Sequence, residues 1–383
     1  MNNTEKFFVE CVKAGIQKDI VTEVPQGIDY KDLYNLCVSH SVEVIVFYAI
    51  QNIKDLLSQV FYSALKKVVE RQVIKDVQIG ADCDTVVNAF EKNGVKFMPL
   101  KGYHLKKLYP KTEMRYTSDC DILIEKKEIK KVRDVVKGLG LKTERYDEHH
   151  DIVYFEKTKS VFELHKMLFV GKLGKYFGTG FERANAKEGY TYYYELSPED
   201  FYMTFIAHSA YHFAEGGGVG IRHLTDIYIY RQNYKLDEDY LEREFEKCGL
   251  REFQVQFEKL ERYFFEDSKA DDFILKLADY VLSSTVLGNE EKKDASDISS
   301  HGTKGKTIFR IIFPSVEDMK FLYPVLKKVI IFLPIFYIVR WFRVIFKTPE
   351  RLSRMKRTQS VTDEEVKQVR EIRNGLGINN LNK

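Results

Sequence analysis

The sequence predicts an α+β protein in which a small mixed α/β unit lies between two helical regions. Apolar residues recur at three- and four-residue spacing over 4–18, 30–54 and 57–91, which indicates helices. From residue 95 onward, short alternating segments typical of strands replace this pattern. After the sequence SPED at 197–200, which places a proline and two acids in a first helical turn, the helical pattern returns.

These changes of pattern divide the chain into four parts. We expect an N-terminal helical region (1–91), an α/β core (92–196), a C-terminal helical domain (197–347) and a charged tail (348–383) that frays. Residues 284–306 are polar and rich in Gly, Ser, Lys and Asp, so we expect a flexible loop there.

Five segments of the core predict strands and two predict helices. The helical segments are YHLKKLY, which stops at Pro110, and a charged helix over 126–138 that ends at Gly138. The strand segments are VKFMPL (95–100), DCDILI (119–124), LKTERYD (141–147), DIVYFEK (151–157) and SVFELHKML (160–168).

Composition excludes several classes of protein. The net charge of +3 is too small to indicate binding to nucleic acid or membrane by itself. The five cysteines are odd in number and contain no C-x-x-C, so they indicate neither a disulfide framework nor a structural zinc site. The opening MNNTEKFFVECVKAG is charged and helical in pattern and is no signal peptide. A reducing cytoplasm is the expected compartment.

Asp119 and Asp121 are the most informative residues of the core. They are spaced i, i+2 at the start of an apolar run, so on a strand both carboxylates point the same way and can hold a hard cation such as Mg²⁺. The same tripeptide, Asp82-Cys83-Asp84, lies in a segment with helical spacing. There i and i+2 diverge by about 200°, so we interpret that copy as a helix face or cap without a metal site.

Other core residues add the groups that a phosphate-transfer site needs. Lys101-Gly102 closes a strand-to-helix turn, where glycine permits close backbone approach and lysine adds a positive charge. Arg115 can bind a phosphate bidentately. Glu163 lies in an apolar run, where a charge is costly unless coordinated, and is the expected third carboxylate. His165, at i+2 from Glu163, shares its face and is expected to touch substrate or to pack in the core.

Taken together, LKGYHLKKLYPKTEMRYTSDCDILI (100–124) and FELHKML (162–168) resemble the nucleotidyltransferase superfamily that includes polymerase β. They resemble more narrowly the family of uncharacterised nucleotidyltransferases. Lys-Gly stands where the superfamily usually has Gly-Ser or Gly-Gly, and it matches the narrower family. A weaker similarity covers AHSAYHFAEGGGVGIRHLTDIY (207–228). The resemblance extends over roughly residues 30–345, and its specific motifs occupy under a third of the chain.

The resemblance implies transfer of a nucleoside monophosphate from an NTP to an acceptor hydroxyl, dependent on Mg²⁺ or Mn²⁺. Asp119 and Asp121 would ligate metal, and Glu163 would help to hold the metal or take the acceptor's proton. A protein hydroxyl, a tRNA end and a small molecule all stay open as acceptors. Alternatives are a catalytically silent nucleotide-binding or interaction module, and transfer of the γ-phosphate by similar metal chemistry.

Two further features carry alternatives. His208 and His212, at i, i+4, are expected to line the acceptor side of the cleft or to pack in the core, and a zinc site is the remote alternative. Arg222 and Asp226 are expected to form an ion pair within one helix.

The apolar run at 321–346 is interrupted by Pro334 and has only eleven uncharged residues between Lys328 and Arg340, too few to span a bilayer. We expect a helix buried on the helical domain. The alternative is a membrane-surface contact through 321–357, a peripheral role suggested by the flanking basic residues.

Overall fold

The computed structural model describes residues 1–286, 288–347, 349–379 and 381. Its strands are β1 Phe97–Pro99, β2 Asp119–Ile124, β3 Lys142–Tyr146, β4 His150–Tyr154, β5 Val161–His165, β6 Ala184–Ala186 and β7 Tyr194–Leu196. Its helices are α1 Asn3–Gln17, α2 Tyr30–His40, α3 Glu43–Ala49, α4 Gln59–Lys92, α5 Lys101–Leu105, α6 Ile129–Gly138, α7 Gly171–Phe177, α8 Pro198–Gly216, α9 Arg222–Asn233, α10 Glu238–Cys248, α11 Arg251–Phe265, α12 Asp272–Leu282, α13 Glu290–His301, α14 Lys304–Ile312, α15 Val316–Leu322, α16 Leu333–Lys347, α17 Pro349–Ser360 and α18 Asp363–Gly375.

The predicted α+β class is confirmed, and so are the five strands of the core. They form one mixed sheet in the order β1-β2-β5-β4-β3, in which only the central pair, β2 and β5, is parallel. The sequence analysis did not predict the small antiparallel sheet of β6 and β7. The parallel register of the central pair sets Asp121 directly opposite Glu163, which brings carboxylates from distant parts of the chain together.

One face of the sheet is apolar and fixes the strands in this register. Cys120 and Ile122 of β2 and Phe162 and Leu164 of β5 are fully buried against α6 and the C-terminal half of α4. A shift of one residue would turn these side chains outward and bury the carboxylates, at a large cost in free energy. The sheet therefore presents Asp119 and Asp121 on its other face.

The two helical regions share a single large core. Buried side chains of α1, α2 and α3 pack in one cluster with those of α8 to α13 and α18, so the N-terminal helices lie against the C-terminal domain. The 34-residue α4 leaves this cluster and crosses to the sheet. Asp82-Cys83-Asp84 lies within α4, as expected for the helical copy of the tripeptide.

The flexible loop predicted over 284–306 is wrong for most of its length, because α13 begins at Glu290 after the cap Asn289. The segment is polar in composition because charged side chains hold much of this helix in place. Asp294 is fully buried and accepts hydrogen bonds from Arg354 (3.0 Å) and Arg357 (2.7 Å) of α17. A buried carboxylate paired with two guanidinium groups stabilises a segment that looks solvated in sequence.

The fraying expected for the charged tail is also wrong in the described residues. Val366, Val369 and Ile372 recur at helical spacing on α18 and are buried in the large core. Arg373 is buried beside them and donates hydrogen bonds to the Ala214 carbonyl (2.9 Å) and to Ser296 Oγ (2.7 Å). The high charge of the tail hid this narrow apolar face.

The apolar run at 321–346 is not the buried helix that we expected. Only one face of α16 is packed, and several of its apolar side chains are exposed. Within the described residues, no helix has the length and apolarity needed to cross a bilayer.

His40 ties the N-terminal helices to the C-terminal domain through a neutral imidazole. Its Nε2 lies 3.1 Å from the Leu282 carbonyl, and its Nδ1 accepts a hydrogen bond of 3.1 Å from the Ile221 amide. Accepting at one nitrogen while donating from the other requires the neutral form. Burial lowers the pKa of His40 to about 4, from an ordinary value near 6.5.

This depressed pKa predicts a specific loss of stability in acid. The unfolded chain takes up the His40 proton near pH 6.5 and the folded chain only near pH 4, so the stabilisation is present above pH 6.5 and disappears as the pH falls through 4. Urea unfolding should show the free-energy difference between wild type and His40→Gln shrinking by on the order of 3 kcal/mol between pH 7 and pH 4. A difference that does not change with pH would contradict the assignment.

Candidate active site

A cavity of about 380 Å³ lies between the sheet and the helix pair α8 and α9. The acidic face of β2 and β5 forms one wall, and the first turn of α5 and the loop at 115–118 form the sides. The histidine-bearing faces of α8 and α9 form the opposite wall. All seven residues that the sequence predicts for the site line this cavity: Lys101, Gly102, Arg115, Asp119, Asp121, Glu163 and His165.

His165 joins the central carboxylates. Its Nε2 lies 2.8 Å from Asp121 Oδ1 and 3.4 Å from Glu163 Oε2. Burial alone would lower the pKa of His165, but the hydrogen bonds to the two carboxylates raise it to about 9. The imidazole is therefore protonated at neutral pH and supplies one positive charge between two negative ones.

The two aspartates of β2 differ in their electrostatic surroundings. Burial acts to raise the pKa of Asp121, but the charge of Lys101 and the hydrogen bond from His165 hold it well below its ordinary value. The pKa of Asp119 is raised, first by burial and then by the negative charges of Asp121 and Glu163. Asp119 thus faces negative charge that the neighbouring side chains do not fully compensate.

This donor set fits a hard divalent cation. Asp121, Glu163 and His165 each offer a ligand atom within 4.8 Å of the others, and the Asp119 carboxylate lies on the same face of β2. Carboxylate oxygens are the ligands that Mg²⁺ prefers, whereas His165 could bind Mn²⁺ only after losing its proton. Burial and then the neighbouring negative charges raise the pKa of Asp119, and a cation beside it would favour its charged form.

The Lys101-Gly102 turn places a positive charge just after the C-terminal end of β1. Lys101 has a φ of +25°, a strained value for a residue with a side chain, and its Nζ lies 3.3 Å from His208 Nε2. A Cβ on Gly102 would lie 3.0 Å from Arg115 Nη1, so glycine allows the guanidinium to approach the backbone.

Arg115 has a carboxylate partner in the C-terminal domain. Its Nε and Nη2 donate to the two oxygens of Asp226 at 2.8 and 2.9 Å, and Tyr109 also donates to Asp226 at 2.7 Å. All three side chains are buried. The pair joins the loop before β2 to α9, and it uses the guanidinium edge that the sequence analysis assigned to a phosphate.

The position of Arg222 differs from the one that the sequence predicts. The predicted ion pair between Arg222 and Asp226 is wrong, because Asp226 is bound to Arg115. Arg222 donates to the Tyr116 carbonyl at 3.4 Å, and no carboxylate of the described chain lies within ion-pair distance of it. Burial, and then the charge of Arg115, lowers the pKa of Arg222 to about 10. It is a cavity-facing cation without an acidic partner.

Three histidines form the wall opposite the carboxylates. Burial lowers the pKa of His212 to about 4 and holds the pKa of His208 and of His223 well below the ordinary value. All three are therefore neutral at pH 7. His208 and His212 have ring centroids 4.2 Å apart, and Ser209 Oγ lies 2.8 Å from His223 Nδ1.

Sequence reasoning missed Arg222 and His223 as cavity residues. Both stand in GIRHLTD, where spacing along the helix predicted an ion pair of Arg222 with Asp226 and gave His223 no role. Their orientation depends on how α9 packs against α8 and on the partner that Asp226 takes, neither of which can be read from spacing along one helix. The weak signal is the presence of three histidines and an arginine within residues 207–228.

One comparison with known proteins covers the part of the chain that builds this cavity. The model of the family described as uncharacterised nucleotidyltransferases matches residues 26–266, which include every residue that lines the cavity. The match ends well before residue 345, so the shared part stops short of the expected extent toward the C terminus. Searches of the curated proteins and of the solved structures found no match to the chain. On the matched region, which is more than half of its length, the chain belongs to the family of uncharacterised nucleotidyltransferases.

Proposed function

We propose that the protein transfers a nucleoside monophosphate from an NTP to an acceptor hydroxyl, with the help of a divalent cation. The observation that carries this proposal is the placement of Asp119, Asp121 and Glu163 on one wall of a cavity that Lys101 lines from the side and Arg222 lines from α9. Carboxylates for a metal and cations for phosphates within one enclosed space match the needs of phosphoryl transfer.

Asp119, Asp121 and Glu163 are the metal ligands in this proposal. A bound Mg²⁺ or Mn²⁺ would neutralise charge on the phosphates and lower the pKa of a coordinated acceptor hydroxyl. His165 holds Asp121 and Glu163 in position through its contacts with both carboxylates. It lies at the edge of the proposed substrate site.

Lys101 and Arg222 are the phosphate-binding cations. Arg222 has no carboxylate partner in the described chain, and a buried guanidinium without one is costly unless an anion binds it. Its planar fork suits the oxygens of a triphosphate, whereas the fork of Arg115 is already held by Asp226. Arg115 and Asp226 instead keep α9, and with it Arg222, over the sheet.

The acceptor binds beside the histidine wall. Neutral imidazoles at His208, His212 and His223 can donate to and accept from a hydroxyl, and a neutral imidazole can take its proton. A protein hydroxyl, a tRNA end and a small molecule all remain candidate acceptors for this site.

One observation favours a second candidate, a catalytically silent nucleotide-binding module. The protonated His165 already compensates Asp121 and Glu163, so the fold does not need a metal to tolerate their charges. Such a module would bind an NTP and transfer no part of it. Labelling with α-³²P and γ-³²P NTPs separates nucleotidyl transfer, γ-phosphate transfer and silent binding.

Asp121→Asn should lower the rate of α-label transfer by about a thousand-fold, roughly 4 kcal/mol of transition-state stabilisation. The amide keeps the shape of the side chain but removes the charge that a divalent cation needs. The measurement is incorporation of label from each α-³²P NTP into a cell lysate in the presence of Mg²⁺.

The helical copy of the tripeptide supplies the matched control. Asp82→Asn makes the same chemical change on α4, where Asp82 accepts a hydrogen bond from Thr158 outside the cavity, and should leave transfer unchanged. Equal transfer by wild type and Asp121→Asn would refute the metal assignment.

Arg222→Gln should raise the KM for the NTP by about 10- to 100-fold, because one charge-assisted contact to phosphate is lost. It should not lower the unfolding free energy, since no carboxylate loses a partner. Arg222→Lys should recover part of the affinity.

Arg115→Gln is the comparison that tests the division of roles. It leaves Asp226 buried and without its charge partner, so the unfolding free energy should fall by about 3–5 kcal/mol. The measurements for both variants are the KM for the NTP, from steady-state kinetics, and the unfolding free energy, from urea unfolding. A larger KM effect from Arg115→Gln than from Arg222→Gln, with unchanged stability, would reverse the two assignments.

A further inference from the structure

The segment from α14 to α16 carries an unusual share of the exposed apolar surface. Of the 25 large apolar side chains that are exposed in the described residues, twelve fall between 309 and 342. They are Phe309, Phe313, Val316, Val325, Val329, Ile330, Ile331, Phe332, Ile335, Ile338, Val339 and Phe342. We call this set the α14–α16 surface. Apolar patches of this density mark interaction sites in soluble proteins.

The exposure does not come from a loosely attached helix. On the inner face of α16, Arg340 is buried and donates to the carbonyls of Ile311 (2.8 Å) and Ile312 (2.9 Å) at the end of α14. The Tyr337 hydroxyl donates to the Pro314 carbonyl, and the Trp341 ring lies 6.1 Å from that of Phe313. These contacts fix the inner face of α16, so the outer face of the same helix stays turned away from α14.

The outer face is apolar where an ordinary surface helix is polar. Ile335, Ile338 and Phe342 are spaced by three and four residues and lie in one line along it, and Ile331 is exposed in the turn just before α16. Their exposed fractions run from 55 to 77%.

Charge identifies the kind of partner. Residues 303–347 contain nine lysines and arginines against two acids, a net charge of +7 in a chain whose total is +3. Lys327, Lys328 and Arg343 neighbour these apolar residues in sequence and are exposed, and Lys327 pairs with Glu148 at 2.6 Å. Apolar side chains rimmed by positive charge are complementary to an anionic lipid surface, where the apolar groups enter the acyl boundary and the cations meet phosphates. A self-associating surface would gain nothing from like charges that face each other.

We propose that the protein docks on anionic membranes through the α14–α16 surface, as a peripheral protein that does not cross the bilayer. The segment lies outside the region matched by the family, so this contact is an addition to the shared nucleotidyltransferase unit. It would bring the active site to acceptors at the membrane, and it does not depend on the proposed chemistry.

Vesicle flotation of the full chain tests the proposal. The protein should float with vesicles of phosphatidylcholine containing 30% phosphatidylglycerol, and binding should fall at least about tenfold on pure phosphatidylcholine or in 0.5 M salt. The triple substitution Ile331→Asn, Ile335→Asn, Ile338→Asn should lower binding at least about tenfold. Lys328→Glu should lower binding to the anionic vesicles and leave the weak binding to pure phosphatidylcholine unchanged.

The chain offers a matched control on α4. Val60, Ile74 and Val77 are exposed to 61–83%, so Val60→Asn, Ile74→Asn, Val77→Asn removes similar apolar surface far from the basic segment. This variant should bind like wild type. Absence of wild-type binding to anionic vesicles, or equal loss in both triple variants, overturns the proposal.

Size-exclusion chromatography with light scattering supplies a further contradicting outcome. A dimer that the Ile331/Ile335/Ile338 variant disrupts, in a protein that does not float with vesicles, would assign the surface to a second copy of the chain. Unfolding midpoints equal to wild type are required of every variant, because the three isoleucines are exposed and should not affect the fold.

Discussion

Repulsion among three carboxylates on one face of a parallel strand pair is the constraint on which the site depends. The apolar face of β2 and β5 fixes the register, and that register leaves Asp121 no position except opposite Glu163. The surrounding positive groups are arranged around this charge: His165 bridges two of the acids and Lys101 lowers the pKa of Asp121. The pKa of Asp119 is raised, first by burial and then by the negative charges of Asp121 and Glu163. A divalent cation beside this carboxylate would favour its charged form.

The ion pair between Arg115 and Asp226 determines which arginine of the cavity is engaged by a carboxylate. Asp226 engages Arg115 at 2.8 and 2.9 Å, and this contact joins the sheet to α9 across the cavity. Because Asp226 is occupied, no carboxylate among the described residues lies within ion-pair distance of Arg222, which faces the cavity from the same helix. One buried pair therefore joins the loop before β2 to α9 and leaves a second guanidinium without a carboxylate partner in the described chain.

Much of the fold and the centre of the site could be predicted from the sequence. Strand periodicity located all five strands of the core, and the helical setting of Asp82-Cys83-Asp84 distinguished it from the strand pair at 119 and 121 that lines the cavity. Partner choice could not be predicted, because Arg115 and Arg222 compete for Asp226 only once α9 lies over the sheet. The polar composition of α13 predicted a loop, and this prediction was wrong. The helix is stabilised by its buried Asp294, whose partners Arg354 and Arg357 lie far along the chain and cannot be identified from the local sequence. The charged surface of α18 likewise concealed its narrow buried face.

The central claim is that Asp119, Asp121 and Glu163 hold a divalent cation in the presence of a nucleotide. The most direct measurement is a titration with Mn²⁺ followed by electron paramagnetic resonance, with a non-hydrolysable NTP analogue bound. The account predicts saturable Mn²⁺ binding by wild type and by Asp82→Asn, and at least about tenfold weaker binding by Glu163→Gln, because one charged ligand is lost. Mn²⁺ binding of equal affinity in wild type and Glu163→Gln, or no binding by wild type, would contradict it.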